Sequence, residues 1–521
     1  MDTDVLVIGA GPAGLMLAAE LRLGGAEVVV VDQRPGPTTE SRASTLHART
    51  MEILDSRGLL EELGTPPREP RGHFGGIPLD LTLPSAHSGQ WKVAQTRTEE
   101  LLQNRAAALG AELLRRHQLL SLTAGEDGVE AEAIGPNGPV RLRARYLVGC
   151  DGEDSTVRRL TGVPFPGQDA ARELLRADVS GVSVADRRFQ RLERGLAIAA
   201  TRDGVTRVMV HEFGRPPGVR AGAEPDFTEV TDIWKRVTGE DIGHGTPLWV
   251  NAFGDANRQL AQYRHGRVLF AGDAAHRQMP SGGQALNLGV QDAFNLGWKL
   301  AAVVRGSADE DLLDTYHEER HAVGRQVLAN IRAQVQLMLG GPEVEPARAV
   351  VAELIALDGV REHLAGMISG LGIRYEVGGE GHPLLGRRLP DAQLEPGPGE
   401  PGGARPVRTT ELLRTGRGLL LAPGAPDADG AAALRAAAAP WADRVAFAAA
   451  RPVAGAPLAE GQALLVRPDG YVAWAGARPD GLSDALRRWF GVPAGASASV
   501  SASAPAGVSA GARADAPVGR P

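Results

Sequence analysis

The chain has one cysteine, Cys150, in 521 residues. A single thiol excludes an intramolecular disulfide, a CxxC redox pair and a cysteine-built zinc cage. Lysine is almost as scarce: Lys92, Lys235 and Lys299 are the only three, so nearly all of the 56 basic residues are arginine. There is no basic excess either. The net charge of −7 argues against a nucleic-acid footprint, which needs a clustered basic face. Long hydrophobic runs are missing too: Val5–Leu21 is interrupted by Gly and Pro and carries Glu20, too broken to span a bilayer. The opening Met1-Asp2-Thr3-Asp4 is acidic where a signal peptide needs a basic start. The expectation is a cytoplasmic protein that binds neither membrane nor nucleic acid.

What is present is ordinary for a globular protein: 43% hydrophobic and 23% charged residues, in enough chain for three or four domains. Val5–Gly9 reads as a strand, Pro12–Leu23 as a helix, and the β-branched Val28–Val31 as a buried parallel strand, which together make a βαβ opening. Shorter alternating runs such as Arg207–Phe213 and Pro247–Phe253 predict antiparallel strands of a second layer. Val268–Ala271 predicts another buried strand, followed by helices over 289–305 and 309–339. The Pro/Gly-rich Leu394–Pro406 marks a linker, and the Ala/Ser/Gly/Pro stretch after Pro493 predicts a disordered tail.

Gly9-Ala10-Gly11-Pro12-Ala13-Gly14 fits GxGxxG between a strand and a helix. Gly9 suits a tight turn, Gly11 a close approach to a pyrophosphate, and Gly14 close packing of helix on strand, with free helix N–H groups facing the phosphates. Asp32, beside Gln33 at the end of the next strand, is placed to accept hydrogen bonds from a ribose. A glycine turn alone is the plain alternative, and the motif does not separate FAD from NAD(P).

Two further segments bear on that choice. Arg145–Arg158 reads RYLVGCDGEDSTVR, and Gly272–Lys299 reads GDAAHRQMPSGGQALNLGVQDAFNLGWK. They resemble the DG and GD motifs of the class A flavoprotein aromatic hydroxylases, the p-hydroxybenzoate hydroxylase-like superfamily, in that family's order. Gly72-His73-Phe74-Gly75-Gly76 and His317-Glu318-Glu319-Arg320-His321 resemble the aromatic polyketide hydroxylases, with the angucycline type as the nearest subgroup.

The resemblance implies an α/β fold. A Rossmann-like FAD-binding domain (1–172 and 255–393, with 72–100 reaching the substrate region) is interleaved with a substrate-binding sheet (173–254). A linker (394–406), a thioredoxin-like domain (407–492) and the tail (493–521) follow. It further implies FAD contacts from the glycine motif, Asp32 and Gln33, from Arg42 and Gln95, from Asp151 and Arg158, and from Asp273, Pro280, Gly282, Gly283, Ala285, Leu286 and Asn287. Arg158 reads alternatively as an exposed ion pair, and Arg42 and Gln95 as solvated side chains. Relatives usually carry Gly where Ala285 stands, so a positive φ at 285 would strain the loop. By its own residues, the helix start near Ala285 would favour negative charge at the flavin's pyrimidine edge.

The activity implied is FAD- and NADPH-dependent hydroxylation of an aromatic polyketide by O2 through a C4a-hydroperoxyflavin, in antibiotic biosynthesis. Baeyer–Villiger or ring-cleaving oxidation, antibiotic inactivation, and a non-catalytic polyketide-binding flavoprotein stay open, because the motifs report the cofactor and not the substrate. No catalytic base is identifiable; His73 is one pocket candidate. The HExxH spacing of His317–His321 matches a zincin pattern but lacks a third ligand, so it reads as a structural helix surface and no metal is expected. With no cysteine after Cys150, the thioredoxin-like domain cannot do dithiol chemistry. It is left a structural or dimer-supporting role, which places a homodimer among the expected partners.

Overall fold

The computed structural model describes residues 2–38, 43–218, 224–379, 381–396, 405–424, 428–458 and 460–493. Arg42, most of the expected linker and the tail from 494 lie outside the described residues.

The valine-rich segments form the centre. Asp2–Ile8 pairs in parallel with Val28–Asp32 on one side and Gly138–Gly149 on the other. Glu112–Arg115 and Val268–Phe270 extend the parallel sheet at either end. The order therefore reverses beside the first strand, and in open α/β sheets ligands bind at such a switch point, outside the carboxyl ends of the strands. Helix Pro12–Leu23 covers one face. Proline is preset for a first helical turn, and Leu15, Leu17, Ala18 and Leu21 are fully buried. Each such leucine contributes roughly 1.5–3 kcal/mol.

The second layer is a five-stranded antiparallel sheet from Glu173 to Gly254. Its alternation has a physical result. Leu175, Ala177, Val179, Val208 and Val210 pack on helix Phe227–Thr238 through Val230, Ile233 and Trp234. The alternate residues Leu174, Arg176, Asp178, Arg207 and Met209 face a cavity, as a period of two requires.

The C-terminal unit carries a parallel pair, Gly418–Pro423 with Val445–Pro452, connected through helix Ala428–Ala438, followed by the antiparallel strands Ala463–Val466 and Val472–Gly476 and helix Leu482–Phe490. This matches the thioredoxin-like expectation. The linker expectation is corrected at its start: Gln393–Pro396 is a strand that pairs with both Val407–Arg408 and Val445–Pro452, because Leu394 is wholly buried. One apolar core runs without a break from Val5–Val7 to Leu419–Leu421 and Val466, so the unit is fused to the first half. The helix expected over 309–339 begins as a 3₁₀ turn, Glu310–Leu313, before Asp314–Leu339. No described helix is long and apolar enough to cross a membrane.

Candidate active site

The glycine turn is shaped by packing at two of its three glycines. Gly9 has φ 104°, and a Cβ there would lie 2.3 Å from the Cys150 carbonyl oxygen; one on Gly14 would lie 1.9 Å from the Gly9 oxygen. Gly11 is different: a Cβ would meet nothing within 4 Å. The protein's own packing does not require glycine there, whereas a ligand approaching the backbone does. Helix Pro12–Leu23 starts with no side-chain cap and no acid in its first turn, leaving its N–H groups and positive dipole end for an anion. Asp32 accepts from the Ala10 N–H (2.6 Å) and the Arg34 N–H (2.7 Å), which ties the turn to the next strand. Gln33 is exposed and borders a shallow groove with Arg34 and Arg116.

The DG and GD segments meet at the ends of neighbouring parallel strands. Asp151 accepts from the Val157 N–H (3.0 Å). Burial pushes its carboxyl above the ordinary range, against hydrogen bonds from Ser155 and nearby backbone. Arg158 is not the exposed ion pair that its sequence context allowed. It lies over the Phe165 ring at 4.0 Å and donates to the Ala274 and Glu153 carbonyls, bracing one turn against the other. Asp273 is exposed on the turn Gly272–Ala274. Gly272 needs φ 64°, and a Cβ on it would press on Ala13 at 3.1 Å. Cys150 is buried, and that burial pushes its thiol up, consistent with a packed small residue.

Pro280, Gly282, Gly283, Ala285 and Leu286 border a cavity of about 710 Å³, whose far wall is the antiparallel sheet. The strain expected at Ala285 does not arise. Positive φ falls on Gly282 (64°) and Gly283 (71°), and Ala285 is already inside helix Gln284–Val304. Asn287 accepts from the His47 N–H (2.8 Å) and donates to the Thr45 and Gly283 carbonyls (3.0 and 2.8 Å). It clasps strand Thr45–His47 to the glycine pair. His47 completes the clasp, its Nε2–H donating to the Gly282 carbonyl at 2.7 Å, and burial holds its pKa down to about 4. Gln95 does not border the cavity: its amide accepts from the Ala43 N–H and donates to Glu99, so it holds Ala43 in place.

His73 does border the cavity, with its ring 4.0 Å from that of Phe189. Burial, with Arg188, His47 and Lys92 nearby, lowers its pKa to about 4. Its Nδ1 accepts from the Gly76 N–H (3.2 Å), so the neutral ring carries its proton on Nε2. Sequence reasoning missed four wall features. These are His47, Lys92, the stack of Arg176 on Trp249 (3.7 Å), and the paired Asp178–Arg207 (2.7 Å twice). Of the wall, Arg207, Met209, Trp249 and Phe253 lay in runs whose alternation hinted at a two-faced sheet. Phe189 was missed as well. It has φ 51° at a register shift of strand Arg187–Leu192, the kind of backbone strain that gathers at functional sites.

The His317 and His321 rings lie 4.8 Å apart, but no group of three metal-capable side chains occurs among the described residues. Nor is the segment simply a helix surface: Glu319 and Arg320 are buried and fully engaged.

The residues present fit the FAD implied by the motifs. Beyond the open backbone at Gly11, the side-chain amides of Gln278 and Gln284 and the Ser281 hydroxyl flank the glycine pair, buried and without a partner among the described residues. Buried polar groups are ordinarily satisfied, and a polar ligand at this turn would supply what they lack.

Comparison with known proteins agrees. Residues 2–331 match the family described as FAD binding domain, and residues 382–493 match the aromatic-ring hydroxylase C-terminal family. The chain is 43% identical, over 95% of its length and 100% of the relative's, to a 12-dehydrotetracycline 5-monooxygenase/anhydrotetracycline 6-monooxygenase of Streptomyces rimosus. It is 42% identical, over 94% and 98%, to a rifampicin monooxygenase of Streptomyces venezuelae. The crystal structure of CabE, an aromatic hydroxylase from angucycline biosynthesis, superposes with a TM-score of 0.88 at 49% identity, covering 95% of this chain and 100% of that one. With the open glycine turn, the paired DG and GD turns and the cavity beside them as its candidate site, this chain is an FAD-dependent monooxygenase and belongs to the class A flavoprotein aromatic hydroxylases.

Proposed function

We propose that this monooxygenase hydroxylates a polycyclic aromatic polyketide in antibiotic biosynthesis, with NADPH as electron donor and O2 as oxidant. The observation that carries the reading is the cavity. At about 710 Å³ it is in the range of small-molecule sites and roomy enough for several fused rings. Apolar Leu174, Ile198, Met209, Phe253 and Met279 line it between the polar groups.

FAD, when bound, would take electrons from NADPH and activate O2, one atom of which reaches the ring while the other leaves as water. The chain's own residues do the rest. Gly11, Ala13, Gly14 and Asp32 would hold the dinucleotide end, and Asp151 and Asp273 the turns beside it. Gly282, Gly283, Leu286 and Asn287 would frame the flavin ring. Helix Gln284–Val304 begins there without a side-chain cap or an acid in its first turn, so its N-terminus favours negative charge at that edge. The sheet and the hairpin Arg71–Asp80 close the cavity, and exclusion of water protects a reactive oxygen donor from wasteful decay. His73, neutral at physiological pH and carrying its proton on Nε2, is placed to donate to a substrate oxygen rather than to act as a base through Nδ1.

A second reading, inactivation of an antibiotic by the same chemistry, is favoured by the similarity to the rifampicin enzyme. One experiment separates them. The purified protein is assayed for bound flavin and for NADPH oxidation with polyketide phenols and with finished antibiotics, and products are analysed after turnover under isotopically heavy O2. Accelerated oxidation and one labelled ring hydroxyl on a biosynthetic phenol support the proposal. Turnover confined to finished antibiotics selects the second reading. A labelled lactone or cleaved ring overturns hydroxylation in favour of Baeyer–Villiger oxidation.

A further inference from the structure

The C-terminal unit reaches the flavin site through charge. Its turn Arg467–Tyr471 is inserted into the first half. Arg467 contacts both oxygens of Glu319 (2.5 and 3.0 Å) and both of Asp469 (3.0 and 2.5 Å). Lys299 and Asn295, on the helix that follows the glycine pair, also bond Glu319 (2.8 and 2.6 Å). The four charged groups balance and are sealed from water.

Arg320, the residue after Glu319 on helix Asp314–Leu339, belongs to a second balanced set. It donates to Asp292 (2.7 Å) and to the Tyr375 hydroxyl (3.0 Å), and the Tyr375 ring lies 4.4 Å from that of Tyr471. Asp292 in turn accepts from His276 (2.8 Å) and from the Gly272 N–H (3.2 Å), which is the backbone of the GD turn itself. A second route leads to the cavity wall: Arg49, two residues after His47, donates to the Asp469 carbonyl (2.8 Å), and Arg57 to that of Pro468 (2.9 Å).

We infer that the turn Arg467–Tyr471 is a positioning element of the flavin site, acting through Glu319, Arg320 and Asp292 on the GD turn. A buried ion pair is a poor source of net stability compared with apolar packing, but it fixes geometry, since every partner must keep its place to avoid an unpaired buried charge. The C-terminal unit thus supplies part of the frame that holds FAD although it has no redox group of its own. The inference rests on the FAD site described above and assigns the C-terminal unit a share in it.

The test uses the full chain. Arg467→Met/Asp469→Asn removes one charge of each sign and leaves the junction balanced, and Tyr375→Phe removes only the hydroxyl link to Arg320. Arg467→Lys is the conservative rescue. The dissociation constant of FAD and the midpoint potential of the bound flavin are measured together with circular dichroism of the apoprotein. FAD binding weakened about tenfold in the folded double variant, and about threefold in Tyr375→Phe, is expected from couplings of this kind. A shifted flavin potential and partial recovery in Arg467→Lys are expected with it. Folded variants whose FAD affinity and potential both stay within about twofold of wild type, below the reach of such couplings, overturn the inference. If the double variant does not fold, Tyr375→Phe alone decides by the same criterion. A wild-type chain that takes up no FAD overturns the proposed function and this inference together.

Discussion

At the junction with the C-terminal unit, Lys299, Glu319, Arg467 and Asp469 close on one another out of reach of water. Along the cavity, Asp178, Arg202, Arg207 and Lys92 border a large open space. The pairs there are partly exposed: the Arg207 side chain keeps 37% of its surface and Lys92 keeps 23%. The same residue types do opposite work. In the dry junction the four charges are spent on one another, and the network holds shape. In the cavity the charges are partly exposed and so partly screened, and they border the space a substrate would fill. Phe189 and His73 sharpen the contrast, because strain and a lowered histidine pKa occur on the cavity side.

The comparison breaks most readily at its dry end. Glu319→Gln leaves Lys299 and Arg467 without their shared carboxylate, and stability should fall by about 3–5 kcal/mol, read from urea unfolding. A loss under about 1 kcal/mol, the range of an exposed pair, would erase the distinction.

The histidines offer an intermediate effect. His47 and His73 are held near pKa 4, below the free value of 6.5, so the unfolded chain binds more protons between these limits. Stability is therefore complete above about pH 6.5 and drains as pH falls toward 4, by up to about 3 kcal/mol for each histidine. Replacing both with glutamine should flatten this part of the stability–pH curve; an unchanged slope would mean that neither ring is buried neutral.

The two glycines test ligand against packing. Gly14→Ala forces a Cβ into the Gly9 carbonyl and should lower apoprotein stability by about 1–3 kcal/mol, as overpacking does. Gly11→Ala should leave the apoprotein within about 0.5 kcal/mol of wild type, as a substitution into open space does, yet weaken FAD binding. Calorimetry of both apoproteins with an FAD titration gives the answer, and equal destabilisation by the two would remove the argument from open space. At the wet end, Asp178→Asn should change stability by under about 1 kcal/mol while altering KM for the aromatic substrate.

Much of the dinucleotide end could be read without the fold, because GxGxxG, the valine strands and Asp32 act through local backbone geometry. The cavity wall could not. His47, Lys92 and Phe189 come from three separate segments, and nothing in their neighbours marks them. The protein partners of Gln95 and Arg158 were not readable either: Gln95 accepts from the Ala43 N–H and donates to Glu99, and Arg158 donates to the Ala274 and Glu153 carbonyls. The HExxH spacing misled in another way, since the pattern draws the eye to its two histidines and the work is done by Glu319 and Arg320 between them.

The sequence by itself determined the cofactor class and the backbone turns that receive it, because tight turns and helix N-termini depend on residues adjacent in the chain. It also determined that the redox work lies away from the C-terminal unit, since no cysteine follows Cys150. Tertiary structure alone decided how that unit is used. Arg467 and Glu319 are separated by 148 residues, and whether two such charges meet in a dry interior or dangle in water depends on how the whole core closes around them.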